Sequence, residues 1–273
     1  MRILLTGHLG FIGQNLMPFL IKNGYHVDGF DLIESNKELP DIKNYDWVIH
    51  LGANSNTTEK DLNKILIQNF DFSFKLYNQC LIHNVKFQYA SSASVYGLES
   101  NFCENEFCKP LNPYAYSKYM FDNFLSLYGV GYQGFRYFNV YGKNEEKKGD
   151  QASPISKFYK QAKDTSEIKI FKNSNLYLRD FVSVDDICEM HLKFLKSPHL
   201  NGIWNLGTGK PISFLDVAKI IQNKINCKIT EIPFPEDLKK QYQTFTCSNS
   251  NKLVKDIGDF KWKSVEEWVK INL

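Results

Sequence analysis

The stretch Thr6-Gly7-His8-Leu9-Gly10-Phe11-Ile12-Gly13 constrains this chain more than any other. It follows the apolar run Arg2-Ile3-Leu4-Leu5, which reads as a buried strand, and leads into an apolar-periodic helix from Asn15 to Lys22, with Gly24 as its stop. Strand, glycines at three-residue spacing and helix together make a dinucleotide-binding turn. Gly7, Gly10 and Gly13 permit the tight turn and let a pyrophosphate approach the helix N-terminus, where free N–H groups and the dipole favour anions. The next strand, Tyr25 to Phe30, ends at Asp31, about 20 residues past the glycines, where a carboxylate grips the adenosine ribose. Asp31 favours NAD, while Lys37 nearby suits a 2′-phosphate, so the cofactor is NADP or NAD.

The expected fold class is α/β, with a Rossmann-type doubly wound parallel sheet. Only Leu32 to Asp46 separates Asp31 from the following strand, Trp47 to Leu51. A crossover helix, a strand and a second helix do not fit there. In the 3-2-1-4-5-6 order the third strand lies at the sheet edge, so the sheet is expected to be shortened at that edge, with the adenine end of the site more open. Gly52-Ala53-Asn54-Ser55 ends the next strand facing the cofactor crevice. A long helix from Thr58 to His83 is expected to bend near Asn69.

Val85 to Ala90 reads as a buried strand leading to Ser91-Ser92-Ala93-Ser94-Val95-Tyr96-Gly97. A helix from Pro113 to Tyr128 then carries Tyr114 and Lys118. Four apart on a helix, these two share one face. An ammonium beside a phenol favours the phenolate, which suits alcohol–ketone proton exchange. The last strand of this half, Gly131 to Phe138, runs into Asn139-Val140-Tyr141-Gly142. Residues 1–142 are therefore expected to form the dinucleotide-binding domain. Residues 143–273 form a smaller C-terminal α/β substrate lobe that returns a strand and a helix to the first. Its expected elements include a helix from Pro154 to Ala162, a strand from Leu178 to Ser183 and a helix begun by Ser213.

The net charge of +3, from 33 basic and 30 acidic residues, is spread evenly and leaves no nucleic-acid footprint. The six cysteines include no Cys-x-x-Cys pair, so neither a metal centre nor a disulfide framework is expected. A strand beginning almost at Met1 leaves no room for a signal peptide, and no apolar run spans a membrane. The expected location is cytoplasmic.

The chain resembles the extended short-chain dehydrogenase/reductase family, whose members act on nucleotide sugars. The resemblance rests on Thr6 to Gly13, His50-Leu51-Gly52-Ala53, Ser91 to Gly97, Tyr114-x-x-x-Lys118, Phe138 to Gly142 and Arg179-Asp180-Phe181-Val182. Within the family it is most similar to the heptose-epimerase branch, through Ser55-Asn56-Thr57-Thr58-Glu59, Lys148-Gly149-Asp150-Gln151-Ala152-Ser153 and the long stretch from Ile232 to Thr246. That resemblance implies inversion at carbon 6 of an ADP-linked heptose, bound for lipopolysaccharide or another surface glycan, through a transient ketone and a tightly bound NADP or NAD. It implies that Tyr114 is one acid/base, that Lys118 lowers its pKa and holds the nicotinamide ribose, that Ser92 bonds the reacting oxygen and that Lys148 is the second acid/base. It places Phe11, Ile12, Asp31, Leu32, Lys37, Leu51, Gly52, Ala53, Asn54, Ser55, Asn69 and Val140 on the cofactor. Asn139, Phe171, Lys172, Asn173, Ser174, Arg179 and Tyr242 would hold the nucleotide-diphosphate sugar.

Three positions depart from the branch. Asp150 replaces a small polar substrate-binding residue, Lys157 replaces a histidine and Leu51 replaces an acid. A carboxylate at 150 would repel a diphosphate unless paired with Lys148 or Lys157. The rival readings are a UDP- or GDP-sugar 4-epimerase or reductase of the same family and, from another class, a non-catalytic dinucleotide sensor. A homo-oligomer is expected, with no nucleic-acid or membrane partner.

Overall fold

The computed structural model describes residues 1–33, 38–52, 54–98, 101–235 and 243–273. Lys37, Ala53 and Tyr242, singled out above, lie outside these residues, as does the middle of the stretch from Ile232 to Thr246.

Six parallel strands form the central sheet. From one edge they run β2 (His26–Phe30), β1 (Arg2–Thr6), β3 (Trp47–His50), β4 (Lys86–Ser92), β5 (Tyr132–Tyr137) and β10 (Gly202–Leu206). Successive side chains of β1 point to opposite faces. Leu4 enters a cluster with Val48, Phe87, Leu76 and Phe121. Ile3 and Leu5 enter another with Ile49, Leu16 and Leu20. Helices α3 (Phe72–Ile82) and α4 (Pro113–Tyr128) supply the first face, and α1 (Phe11–Lys22) and α6 (Val184–Leu195) the second. This is the doubly wound arrangement.

The shortened edge is present. Between β2 and β3 the described residues contain only a 3₁₀ turn, Ile42–Asn44, and β2 is the sheet edge. The Asp28 carboxylate there accepts bonds from the Tyr45 hydroxyl at 3.0 Å and the Arg2 guanidinium at 3.1 Å. A charged side chain on an edge strand, here Asp28, discourages pairing with another chain.

Several boundaries differ from expectation for local reasons. Helix α1 starts at Phe11 and so contains Gly13. The long helix begins at Leu62, not Thr58, because the Asn56 and Asp61 side chains accept the N–H groups of Thr58 and Lys64 and compete with helical bonding. Its bend is a π-helical turn, Ile67–Asp71, between α2 (Leu62–Leu66) and α3. The expected strand from Leu178 to Ser183 breaks at Asp180. Its first part, β8 (Leu178–Arg179), pairs with β11 (Ile212–Ser213), and its second, β9 (Phe181–Ser183), pairs with β6 (Asn139–Tyr141). The fully buried Asp180 carboxylate fixes the switch by accepting the backbone N–H groups of Thr208, Gly209 and Ser248.

Beyond Gly142, a smaller layer packs α5 (Pro154–Thr165) and α7 (Phe214–Ile225) on the parallel pair β7 (Glu167–Phe171) and β12 (Lys228–Ile232). Its core joins Ile155, Ile168, Val217 and Ile221 to Tyr141 and Trp268. No helix among the described residues is long and apolar enough to cross a membrane.

Candidate active site

The glycine turn joins β1 to α1. Gly7 has φ +76°, and a Cβ there would lie 2.5 Å from the Gly52 nitrogen at the end of β3. A Cβ on Gly13 would lie 2.3 Å from the Gly7 carbonyl oxygen. Helix and turn thus approach as closely as backbone permits. Gly10 is the N-cap and offers no side chain to the first-turn N–H groups, which leaves them for an anion. Asp31, at the end of β2, accepts from the Leu9 N–H at 3.3 Å and the Ile33 N–H at 3.2 Å. A cavity of about 280 Å³ beside it is lined by Gly7, Leu32, Gly52, Asn54 and Lys64. Leu32 is exposed, Leu51 packs against the core, and Ile12 and Val140 pack against one core cluster.

Buried Asn69 sits in the π-helical turn. Its amide oxygen accepts the Asn54 N–H at 2.7 Å, and its nitrogen donates to the Asn54 carbonyl and the Ser117 hydroxyl, each at 3.0 Å. Ser117 in turn donates to the Tyr114 carbonyl at 2.7 Å. One side chain therefore ties the crevice loop to the helix that bears Tyr114. π-Turns inside α-helices are frequent at functional sites.

Helix α4 is capped by Asn112, whose side chain accepts the Ala115 N–H at 2.8 Å, and opens with Pro113. The Lys118 ammonium is buried and donates to the Ala90 carbonyl at 2.7 Å. Burial lowers its pKa to about 8, with the Asp122 carboxylate opposing. Burial pushes the Tyr114 phenol above its ordinary value, the Ser92 hydroxyl pulls it back, and the Asp122 charge adds to the rise. The net direction is upward. The Lys118 ammonium is not among the causes of this shift, in which desolvation dominates. Ser92 ends β4 and accepts from the Ser94 N–H at 3.2 Å and the Ser94 hydroxyl at 2.9 Å. A second phenol, Tyr137, lines the same cleft, but its hydroxyl is 2.6 Å from His191 Nε2. Burial drops His191 to about 3 and keeps it neutral. Its Nδ1 faces the Gln88 amide oxygen at 2.7 Å, so Nε2 accepts and the Tyr137 proton points away from the cleft.

The loop after Gly142 docks on α1, where the Asn15 amide donates to the Lys143 carbonyl at 2.9 Å. Lys148 follows in a 3₁₀ segment, Glu146–Gln151. Its ammonium lies 4.9 Å from the centre of the Phe11 ring and 3.2 Å from a Glu145 carboxylate oxygen.

Ser55, Ser92, Tyr114, Asn139, Val140 and Lys148 all line one cleft of about 360 Å³. Asn139 donates to Thr246 Oγ1 at 3.3 Å. The cleft also holds Thr57, Ser94, Gln151, Ser153 and Gln243, a lining of hydroxyls and amides that matches a polyol. Asp150 is exposed and outside the lining, and its pairing differs from the expected one. Lys157 donates to its backbone carbonyl at 2.8 Å, while Lys148 pairs with Glu145. Phe171, Lys172, Asn173, Ser174 and Arg179 also lie outside the lining among the described residues. Phe171 stacks near Phe234, with ring centres 4.9 Å apart, and the Lys172 N–H bonds to the Ile232 carbonyl at 2.9 Å. Asn173 has φ +64°, and the buried Ser174 hydroxyl bonds to the Phe171 carbonyl. Arg179 is buried, donates to the Leu178 and Gln243 carbonyls, and lies over the Phe214 ring. The sequence reading did not single out Asp122 or Glu145. Asp122 stands four residues past Lys118 on the same face, a spacing that reveals it. Glu145 lies in a charged loop with no such signal.

A sequence model described as the NAD dependent epimerase/dehydratase family matches residues 3–207. An ADP-L-glycero-D-manno-heptose-6-epimerase from Alkalilimnicola ehrlichii is 35% identical, over 98% of this chain and 95% of that protein. Among solved structures, the ADP-L-glycero-D-manno-heptose-6-epimerase of Helicobacter pylori is similar with TM-score 0.86 and 26% identity, covering 98% of this chain and 94% of that one. The UDP-glucose 4-epimerase of Thermotoga maritima, solved with UDP-glucose, is similar with TM-score 0.83 and 25% identity, covering 100% and 97%.

Proposed function

This chain belongs to the NAD dependent epimerase/dehydratase family, and we propose that it inverts carbon 6 of an ADP-linked heptose. One observation carries the reading: Tyr114 on α4 and Lys148 on the loop beyond Gly142 line the same cleft. Inversion requires proton carriers on two sides of the carbon, and the two lobes supply one each. The 35% identity to a heptose epimerase over nearly the whole of both chains supports the choice of sugar.

The turn fits a dinucleotide, since a Cβ at Gly13 would fill the space the turn keeps clear. Gly7, Gly10 and Gly13 would hold the pyrophosphate, Asp31 the adenosine ribose and Lys118 the nicotinamide ribose. The Asp31 carboxylate repels a 2′-phosphate, which favours NAD over NADP. When bound, the cofactor accepts a hydride from the sugar carbon and returns it. Ser92 orients the reacting oxygen by hydrogen bond, and Tyr114 exchanges its proton on one side. Lys148 exchanges a proton on the other side after the ketone has turned within the hydroxyl-lined cleft. Such proton transfers contribute roughly 100- to 10,000-fold each. Asn139 and the residues around Phe171, Arg179 and Tyr242 are assigned to the nucleotide diphosphate.

The test is epimerisation followed by NMR, with ADP-heptose in a panel of UDP- and GDP-sugars. Tyr114→Phe and Lys148→Ala should each lose inversion. Full turnover by Lys148→Ala on the true substrate refutes the two-carrier reading, and inversion of a UDP-sugar alone refutes the choice of sugar.

A further inference from the structure

We propose that Glu145 is a positioning residue that holds the Lys148 ammonium at the cleft. The proposal rests on the reading of Lys148 as the second proton carrier. The loop that carries Lys148 is charged and largely exposed, yet Glu145 within it is only 1% exposed. A carboxylate is buried at a cost unless it is paired and hydrogen-bonded. Here one oxygen accepts the Ser153 N–H at 2.6 Å and the other the Ser153 hydroxyl at 2.7 Å. Ser153 is the N-cap of the twelve-residue α5, and its hydroxyl also accepts the Ser156 N–H at 3.2 Å. The carboxylate is thereby fixed to a helix terminus of the substrate lobe.

Its remaining charged partner is Lys148, at 3.2 Å. A lysine is a point charge on a flexible four-carbon stem, and a proton carrier must be placed before the reacting atoms arrive. The buried anion draws the ammonium towards α5, and the Phe11 ring in the first turn of α1 lies 4.9 Å from it. The ammonium thus meets both an anion anchored in one lobe and a ring beside the dinucleotide turn in the other. An ordinary surface pair three residues apart would leave both partners in water. Here the acid is sealed and the base reaches the cleft.

The test compares Glu145→Gln, Glu145→Asp and the wild type under two readouts. One is inversion at the sugar carbon. The other is the oxidation half-reaction assigned to Tyr114, followed as reduced-nicotinamide absorbance in a single turnover of the holoenzyme. Glu145→Gln should lose inversion by at least about tenfold, with the oxidation half-reaction and KM little changed. Glu145→Asp, which keeps the charge but shortens its reach, should lose less, and it carries the test if the Gln variant does not fold. Added ethylamine should restore inversion to Lys148→Ala, but not to the double variant Lys148→Ala/Glu145→Gln, which lacks the anion to seat it. Undiminished inversion in both Glu145 variants overturns the proposal. So does amine rescue that persists without Glu145, or a parallel fall of both readouts, which marks a merely structural role. Failure of the epimerase reading is distinct: the wild type itself then inverts none of the sugars, and this proposal falls with it.

Discussion

Lys118 offers the sharpest physical test of the site, because its burial predicts a pH dependence of known sign. The residue is 5% exposed and its pKa falls from the ordinary 10.5 to about 8. At about 1.4 kcal/mol per pH unit, that drop corresponds to about 3 kcal/mol. Below pH 8 both folded and unfolded chains carry the proton, and the group contributes no slope. Between 8 and 10.5 the folded chain has released a proton that the unfolded chain still binds. Stability from this group therefore rises with pH across that window and levels off above it. Cysteines and tyrosines also titrate there, so wild type alone is uninformative. The measurement is urea unfolding of nucleotide-free wild type and Lys118→Met at matched pH values from 7 to about 10.5. The Met variant loses the bond to the Ala90 carbonyl, but that loss is a constant offset. The wild-type stability minus that of the variant should be flat up to about pH 7.5 and then climb by about 3 kcal/mol. Parallel curves, or a difference that falls with pH, refute the claim that desolvation dominates at Lys118.

Asp122 and Arg136 form a buried pair at 2.8 Å, 1% and 4% exposed, and Asp122 also accepts the Tyr89 and Ser91 hydroxyls. Asp122→Ala should destabilise the fold by about 3–5 kcal/mol in urea unfolding, with part of the loss recovered when Arg136→Met is added. Gly13→Ala sets a Cβ 2.3 Å from the Gly7 carbonyl oxygen. The variant should purify without nucleotide, and unchanged nucleotide content by mass spectrometry refutes the close-packed turn.

The sheet was legible because its signals are local and redundant. Glycine spacing, apolar runs and the acid after β2 each point to the same topology, and the short interval before Trp47 reveals the shortened edge by length alone. Ser92, Tyr114 and Lys118 were legible because helical periodicity brings two of them to one face. The break at Asp180 was not, since it depends on three N–H groups from Thr208, Gly209 and Ser248, distant in sequence. Glu145 escaped because its burial follows from the docking of a loop on α1 and α5, which no local pattern encodes.

Epimerisation places two demands on one cleft. The proton carriers must stay fixed while the ketone turns between them. In the proposed mechanism the first demand is met by ties from the candidate groups to partners outside the cleft's own lining. Lys118 is tied to the Ala90 carbonyl, and the Tyr114 backbone is held through Ser117 to Asn69. Lys148 is held at Glu145. The second is met by a lining of Ser55, Thr57, Ser94, Gln151 and Thr246, groups that serve as donor or acceptor and so hold no single orientation of a polyol. Fixed carriers around an accommodating wall are what geometry requires of an inverting site. A non-catalytic sensor has no need of the two proton carriers of the proposed mechanism, Tyr114 and Lys148, and the cost of burying Lys118 and Glu145 as charges fits a site whose groups must be placed for chemistry.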